Sequence, residues 1–193
     1  MPDPRILAPT WFEYCLLRGV PGVTHAGIGL RRWDGEGSDV VVTGLAGALV
    51  PMSPGTIVVP DEVATVGGKS LRCDSELRDR FVQAVEALGY PVRTGPLLTA
   101  GAMVTGPERV LWAGRGFVAA DMETGLLAGR PIRVGAVRVV LDAPAREISA
   151  DWVTWRAALR PARWGEAVML GVRAPRYMRR LARVLESALG GAV

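Results

Sequence analysis

The stretch Phe117-Val118-Ala119-Ala120-Asp121-Met122-Glu123-Thr124-Gly125 sets two acids into a segment of otherwise apolar and small residues. Residues 117–120 are predicted to form a buried strand, and Thr124 to Ala128 to begin a helix. A carboxylate at such a junction loses contact with water unless something hydrogen-bonds it. Two sugar hydroxyls would do so, because a carboxylate has two acceptor oxygens and no donor. The alternative is a helix N-terminus, whose dipole favours acids.

Around this stretch, short apolar runs rich in β-formers alternate with helical patterns, which is typical of a layered α/β domain. Several runs are apolar at successive positions, as expected for strands covered on both faces. The predicted strands are Arg5 to Ala8, Val23 to Ile28, Asp39 to Thr43, Thr56 to Pro60, Val92 to Thr99 and Val134 to Leu141; the predicted helices run from about Ser75 to Leu88 and from about Pro175 to Leu189. We expect one three-layer α/β/α domain with a mixed central sheet over residues 1–193.

Composition excludes several classes of protein. Hydrophobic residues make up 49% and charged residues 22%, which indicates a globular chain rather than a disordered one. Two cysteines, Cys15 and Cys73, do not form a disulfide framework, so a cytoplasmic location is expected. The longest apolar stretch, Val40 to Met52, is too short and too rich in glycine to span a bilayer. His25 is the only histidine and no cluster of cysteines or histidines exists, so no metal site is expected.

The formal net charge of +4 is spread along the chain, apart from four arginines in the last predicted helix, Arg176, Arg179, Arg180 and Arg183. No nucleic-acid partner is therefore predicted. The four arginines fit a solvated helix face; the alternative is a peripheral contact with anionic lipid or an acidic partner.

Four separated sets of residues carry the candidate chemistry. They are Ile6-Leu7-Ala8-Pro9-Thr10-Trp11-Phe12-Glu13; Gly27-Ile28-Gly29; Val41 to Leu49 with Pro54 to Glu62; and Leu98 to Val104 with Asp121-Met122-Glu123 and Arg138 to Asp142. In this order they resemble the purine nucleoside phosphorylase and methylthioadenosine/S-adenosylhomocysteine nucleosidase superfamily, and most closely its hopanoid-associated phosphorylase branch. The resemblance implies a nucleoside phosphorylase-like fold and an enzyme that cleaves the N-glycosidic bond of an adenine nucleoside, by phosphate or by water. An adenosylated hopanoid is the substrate that the branch implies.

The resemblance assigns roles to three acids. Glu13 would activate the attacking water, Asp142 would protonate purine N7, and Glu123 would accept hydrogen bonds from the 2′- and 3′-hydroxyls of the ribose. A carboxylate at the carboxyl end of a strand faces the crevice where α/β sheets bind ligands. Glu13 is also consistent with an ordinary acid in a first helical turn, and Asp142 with an aspartate that starts a turn.

Further substrate contacts follow from the same resemblance. Met122 would lie against the ribose, and Met103 and Val104 would form the floor under the base. Ala46 and Gly47 belong to a loop of small residues that can approach a ligand closely.

Phosphate binding is less well supported by the sequence. Gly27 and Gly29 could bring backbone amides to an anion, and Arg31 could pair with it. Leu45, however, stands where the family often has a serine, and no arginine is adjacent. No cofactor is expected, and inorganic phosphate is the only potential co-substrate.

Two segments are shorter than the family pattern, residues 30–37 and residues 106–116. A neighbouring subunit could complete such a trimmed pocket, so a homo-oligomer, a dimer or a hexamer, is expected. Trp152, Trp155 and Trp164 would cover the site or pack the last helix onto the sheet. Two alternatives remain: a methylthioadenosine/S-adenosylhomocysteine nucleosidase, and a member that binds a nucleoside without turning it over.

Overall fold

The computed structural model describes residues 4–35, 39–145, 147–148 and 164–190. Its strands are β1 (Arg5–Ala8), β2 (Val23–His25), β3 (Asp39–Ala48), β4 (Ile57–Val59), β5 (Glu62–Thr65), β6 (Ser70–Arg72), β7 (Val92–Thr94), β8 (Leu97–Thr99), β9 (Ala119–Asp121) and β10 (Arg133–Asp142). Its helices are α1 (Trp11–Leu17), α2 (Ser75–Ala87), α3 (Pro107–Gly114) and α4 (Trp164–Leu189). Single 3₁₀ turns lie at Ile28–Leu30 and Thr124–Leu127.

All of these strands join one mixed sheet, in the order β6-β5-β8-β9-β3-β10-β4-β7, with β1 and β2 beside β3. The central strand, β3, pairs in parallel with β1 and β10 and in antiparallel fashion with β9. The carboxyl ends of β1 and β10 therefore lie at the same edge of the sheet. The expected α/β fold with a mixed central sheet is confirmed.

One irregularity interrupts the pairing of β10 with β3. Val140 pairs with Ala46 and Asp142 pairs with Gly47, so that Leu141 is an extra residue on β10. Such a bulge bends a strand and re-aims the side chains that follow it.

The largest core cluster lies where α1, α2 and α4 pack against the centre of the sheet. The inward faces predicted for the two helices are confirmed: the side chains that reach this core are Leu77, Phe81 and Val85 from α2 and Met178, Leu181 and Leu185 from α4. Asp74 caps α2, since its side chain accepts a hydrogen bond from Leu77 N at 3.0 Å.

Several predicted bounds were wrong. The strand expected from Val92 to Thr99 is two strands, because the chain turns at Gly95, whose φ is +125°. The last helix begins at Trp164 and contains Pro175, where the sequence predicted its start. The helix expected after Glu123 is only the 3₁₀ turn Thr124–Leu127.

Trp152 and Trp155 lie outside the described residues. Within the part of the chain that is described, no helix is both long and apolar enough to cross a bilayer.

Candidate functional site

Glu13 is held in place by both of its carboxylate oxygens. It forms a capping box with Thr10: Glu13 N donates to Thr10 Oγ1 at 3.1 Å, while Glu13 Oε2 accepts from Thr10 N at 2.9 Å and from Thr10 Oγ1 at 2.7 Å. Oε1 accepts from Leu45 N of β3 at 2.7 Å. A carboxylate has about four lone-pair sites, so Glu13 keeps one acceptor position for water or a ligand. Glu13 is thus both the first-turn acid of α1 and a buried group at the sheet edge.

Gly44 makes room for this carboxylate. A Cβ at Gly44 would overlap Oε1 of Glu13 and would lie 3.0 Å from Nη1 of Arg138. The residue also has a φ of +138°, which side chains rarely adopt. The missing side chain at Gly44 therefore lets Glu13 and Arg138 approach the same point of β3.

Asp121 is fully bonded inside the protein. Its Oδ1 accepts from Thr99 Oγ1 at 2.5 Å, and its Oδ2 accepts from Thr124 N at 3.1 Å, from Thr124 Oγ1 and from Arg138 Nη2. Thr99 Oγ1 also accepts from Gly125 N at 2.8 Å. Asp121 thus anchors the turn after β9, and we assign it to structure rather than to ligand contact.

Glu123, two residues later, is buried with fewer hydrogen-bond partners than Asp121. It is 7% exposed, and its nearest cation is Arg138, whose Nη2 lies 3.9 Å from Glu123 Oε2. The pKa of Glu123 is raised from 4.5 to about 7, chiefly by burial, which outweighs the lowering effect of Arg138 and is helped by the charges of Asp121 and Glu13. A buried carboxyl with this pKa gains from hydroxyl donors supplied by a ligand.

Arg138 pairs with Asp121 and Glu123 and reaches the same point of β3 as Glu13. It is fully buried; Nη1 donates to Thr43 O at 3.1 Å, and Nη2 contacts Asp121 and Thr124 Oγ1. Its Nε has no hydrogen-bond partner in the described structure. We call Glu13, Asp121, Glu123 and Arg138 the acidic cluster. One guanidinium for three carboxylates leaves this cluster with surplus negative charge when the acids are ionised.

Asp142, at the end of β10, has its own arginine. Its Oδ2 accepts from Arg109 Nη2 at 2.5 Å and from Ile148 N at 2.9 Å, and its side chain is 4% exposed. Arg109 comes from α3 and is as deeply buried. We call these two residues the Asp142–Arg109 pair; its charges balance.

The predicted floor for the base lies next to this pair. Val104 is buried and Met103 is half-buried, and Val104 O accepts from Arg109 Nε at 3.0 Å. Gly47 faces the pair, since a Cβ there would lie 3.1 Å from Asp142 Oδ1. Ala46 is buried beside Gly47.

The acidic cluster and the pair lie along the same strand. Gly44 pairs with Arg138 and Gly47 pairs with Asp142, so three residues of β3 separate them. At about 3.3 Å per residue the two pairing positions are roughly 10 Å apart along the strand. Met122, half-buried, lies between Asp121 and Glu123 of the cluster in sequence.

Among the described residues, no hydrogen bond or ion pair joins the residues predicted to bind phosphate to the acids. Gly27, Gly29 and Arg31 follow β2, which pairs with β1 and is separated by it from β3. Arg31 is exposed, and Arg32 contacts His25 Nδ1 at 3.2 Å. A shallow cavity at this edge is lined by Arg5 and His25, among others, and by no residue of the acidic cluster.

The sequence did not identify Arg109, Arg138, Thr99 or Thr124 as site residues. Arg138 lies within the strand predicted from Val134 to Leu141, and an arginine within such an apolar run signals a buried partner. Arg109 had no such signal. No group of three or more side chains suited to a metal occurs among the residues that are described.

Known folds resemble this one over nearly their whole length. The S-adenosylhomocysteine nucleosidase of Streptococcus pyogenes, solved with 5-methylthiotubericidin, has a TM-score of 0.74 and 16% identity, covering 100% of this chain and 99% of that one. The futalosine hydrolase of Helicobacter pylori has a TM-score of 0.72 and 14% identity, covering 96% of each chain. The purine nucleoside phosphorylase of Toxoplasma gondii, solved with immucillin-H, has a TM-score of 0.69 and 15% identity, covering 98% of this chain and 90% of that one.

No curated protein matches the chain in sequence. The family model of the phosphorylase superfamily matches residues 35–168, more than half of the chain. The expected superfamily and an enzyme of the nucleoside phosphorylase or nucleosidase type are thereby confirmed. The chain belongs to the phosphorylase superfamily.

Proposed function

We propose that this protein hydrolyses the N-glycosidic bond of an adenine nucleoside, with the ribose at the acidic cluster and the base at the Asp142–Arg109 pair. The observation that carries the proposal is the acidic cluster, in which Glu13 and Glu123 are buried around one arginine. Cleavage of this bond builds positive charge on the sugar. Surplus negative charge at that place stabilises the transition state more than the substrate.

The same charge favours water over phosphate as the nucleophile. A phosphate dianion at the cluster would meet three carboxylates and one guanidinium, and Arg138 is already bonded to Asp121. Glu13, by contrast, retains an acceptor position for a water molecule. Arg31 is exposed beyond β2 and contributes no cation to the cluster.

Glu123 would hold the ribose. When ionised, its two oxygens accept from the 2′- and 3′-hydroxyls, which replace the water that burial removes. Met122 would pack on the sugar. Ribose binding and the charge state of Glu123 are therefore coupled.

Asp142 would assist the departure of the base. A proton on its carboxyl, passed to purine N7, turns the base into a neutral leaving group. Met103 and Val104 would form the surface under the ring, and Ala46 and Gly47 would border it, since they carry little or no side chain.

Large apolar side chains suggest what lies beyond the 5′ carbon. Trp11 is 63% exposed and Phe12 45%, and both directly precede Glu13 after the carboxyl end of β1; Ile28, 62% exposed, follows β2, the neighbour of β1. An apolar 5′ substituent would cover part of this surface. This favours a methylthio group or a larger lipid substituent, including the adenosylated hopanoid that the sequence resemblance suggests.

The proposal is tested with adenosine and 5′-methylthioadenosine, each with and without inorganic phosphate. We expect release of adenine and free sugar at rates that phosphate does not change. Formation of a sugar 1-phosphate would show that the reaction is phosphorolysis and not hydrolysis. Binding of either nucleoside by calorimetry without release of base would indicate a binding protein instead of an enzyme.

Three finer expectations remain proposals. A homo-oligomer would be seen by light scattering. Contact of the α4 arginines with lipid would be seen as binding to vesicles that contain anionic lipid and as no binding to neutral ones. A preference for a lipid substituent would be seen as a lower KM for a 5′-alkylated adenosine than for adenosine.

A further inference from the structure

Arg109 anchors α3 in an unusual way. It is the only buried residue of this helix, whereas Val110 is 74% exposed and Leu111 51%. A short amphipathic helix is normally held by apolar side chains. In α3, Trp112 and Ala113 pack against the core but are only partly buried, and the one buried side chain carries a guanidinium, whose burial is costly unless its donors are used.

The donors of Arg109 connect three separate segments. Nε donates to Val104 O at 3.0 Å, Nη1 donates to Ala48 O at 2.9 Å, and Nη2 donates to Asp142 Oδ2 at 2.5 Å. Nε also lies 3.5 Å from Glu147 Oε1. One side chain thus connects the predicted floor of the base, the end of β3 and the predicted proton donor.

These bonds determine which oxygen of Asp142 can meet a ligand. Oδ2 accepts from Arg109 and from Ile148 N. Oδ1 faces Gly47, where a side chain would come within 3.1 Å of it and within 3.3 Å of Arg109 Nη2. Oδ1 is therefore the atom oriented toward the open side of β3.

We propose that Arg109 is a positioning residue for the leaving-group step: it holds Asp142 through Oδ2, so that Oδ1 delivers the proton to a base lying on Val104. This inference rests on the proposed function. As the bond from C1′ to the base breaks, its electron pair goes to the base and the proton of Oδ1 goes to N7. Water then supplies hydroxide to C1′, its other proton leaves through Glu13, and Asp142 remains as a carboxylate paired with Arg109.

The test compares two substrates that differ in their need for an acid. Adenosine requires protonation of the base, whereas p-nitrophenyl β-D-ribofuranoside releases p-nitrophenolate without it. We expect R109Q and D142N each to lower kcat/KM for adenosine by at least about tenfold, and to change that for the p-nitrophenyl riboside by less than about threefold. Since Arg109 and Asp142 act on the same step, the double variant R109Q/D142N should be no slower than D142N.

Controls separate this role from a purely structural one. Arg115→Gln changes an exposed arginine that ends the same helix and stacks on Trp112, and it should leave both substrates unaffected. R109K keeps the charge, and the double variant removes both charges, so each remains informative if R109Q does not fold. Equal losses of kcat/KM for the two substrates in a folded Arg109 variant would overturn the inference. A parent protein that cleaves neither substrate would instead overturn the proposed function.

Discussion

The acidic cluster and the Asp142–Arg109 pair are both buried, yet their charges are arranged in opposite ways. In the cluster, three carboxylates share one guanidinium, and Glu123 is 3.9 Å from it. In the pair, one carboxylate and one guanidinium meet at 2.5 Å. The cluster thus has unmet capacity to accept hydrogen bonds and positive charge, whereas the pair is nearly satisfied by itself.

This difference fits the two halves of the proposed reaction. The sugar becomes cation-like in the transition state, and the cluster stabilises such a charge without rearranging. The base must receive a proton, which needs an acid in one fixed orientation rather than a strong field. Substitutions in the cluster and in the pair should therefore have different effects on activity.

The largest effect is expected from Asp142→Asn. Without the proton donor, turnover of adenosine should fall by about 10²–10⁴-fold. Because Arg109 then loses its counter-charge, the free energy of unfolding should also fall, by up to about 3–5 kcal/mol. Steady-state assays and urea unfolding measure the two effects. Asp79→Asn, which breaks an exposed pair with Arg78, is the control and should change neither; unchanged turnover in D142N would remove Asp142 from the mechanism.

Gly44→Ala should disturb the cluster and spare the pair. Its Cβ would overlap Glu13 Oε1, so the carboxylate must move, and a displacement of about 1 Å can cost on the order of 10²-fold in kcat. Gly68→Ala is the matched control, because Gly68 also has a positive φ of +84° but nothing within 4 Å of the added atom. A loss of kcat of the same size in both variants would attribute the effect to backbone strain.

Glu123→Gln should weaken ribose binding and stabilise the protein at high pH. Loss of charged hydrogen bonds to the hydroxyls should cost about 1.5–3 kcal/mol of binding, measured as a higher KM for adenosine. The parent should bind 2′-deoxyadenosine more weakly than adenosine, and equal affinities would contradict the role of Glu123.

The pH dependence of stability gives a second readout for Glu123. Its folded pKa, about 7, lies above the unfolded value of 4.5, so the folded state binds more protons between these values. Stability contributed by the protonated form is therefore present below pH 4.5 and is lost as the pH rises through 7, by on the order of 3 kcal/mol. Thermal melts of the parent and of E123Q should diverge over this range, with E123Q the more stable above it; parallel curves would contradict the raised pKa.

The smallest effect is expected outside both regions. Arg31 is exposed and makes no hydrogen bond or ion pair with the described residues of the cluster, so Arg31→Gln should leave hydrolysis within about twofold of the parent. A large rise in KM for phosphate in this variant would show that Arg31 binds the anion and that the reaction is phosphorolysis.

Much of the fold could be predicted because periodicity is a local property. The faces of α2 and α4 followed from apolar residues at helical spacing, and β1 and β10 from continuous apolar runs. The hairpin of β5 and β6 could not be predicted, because residues such as Ser70 and Arg72 are polar and because its strands have only three or four residues. β5 also pairs in parallel with β8, which lies farther along the chain, and no local pattern contains that pairing.

The candidate site was predictable to the extent that acids stand at strand ends. Glu13, Glu123 and Asp142 were singled out in this way, and the structure places all three at buried positions along β3; their roles remain predictions. Arg109 could not be found, because it lies on a surface helix and its contacts depend on the path of α3. The division between Asp121, bonded internally, and Glu123, available to a ligand, likewise depends on Thr99 and Thr124.

The bulge at Leu141 has an evolutionary consequence. A bulge sets two residues of one strand against one of its partner, so Asp142 pairs with Gly47 although Leu141 lies between it and Val140. The bulge therefore absorbs one additional residue, while the strand before it, with Arg138 against Asp121, keeps its register. A change in chain length by one codon at this point alters the direction of the Asp142 side chain without any amino-acid replacement.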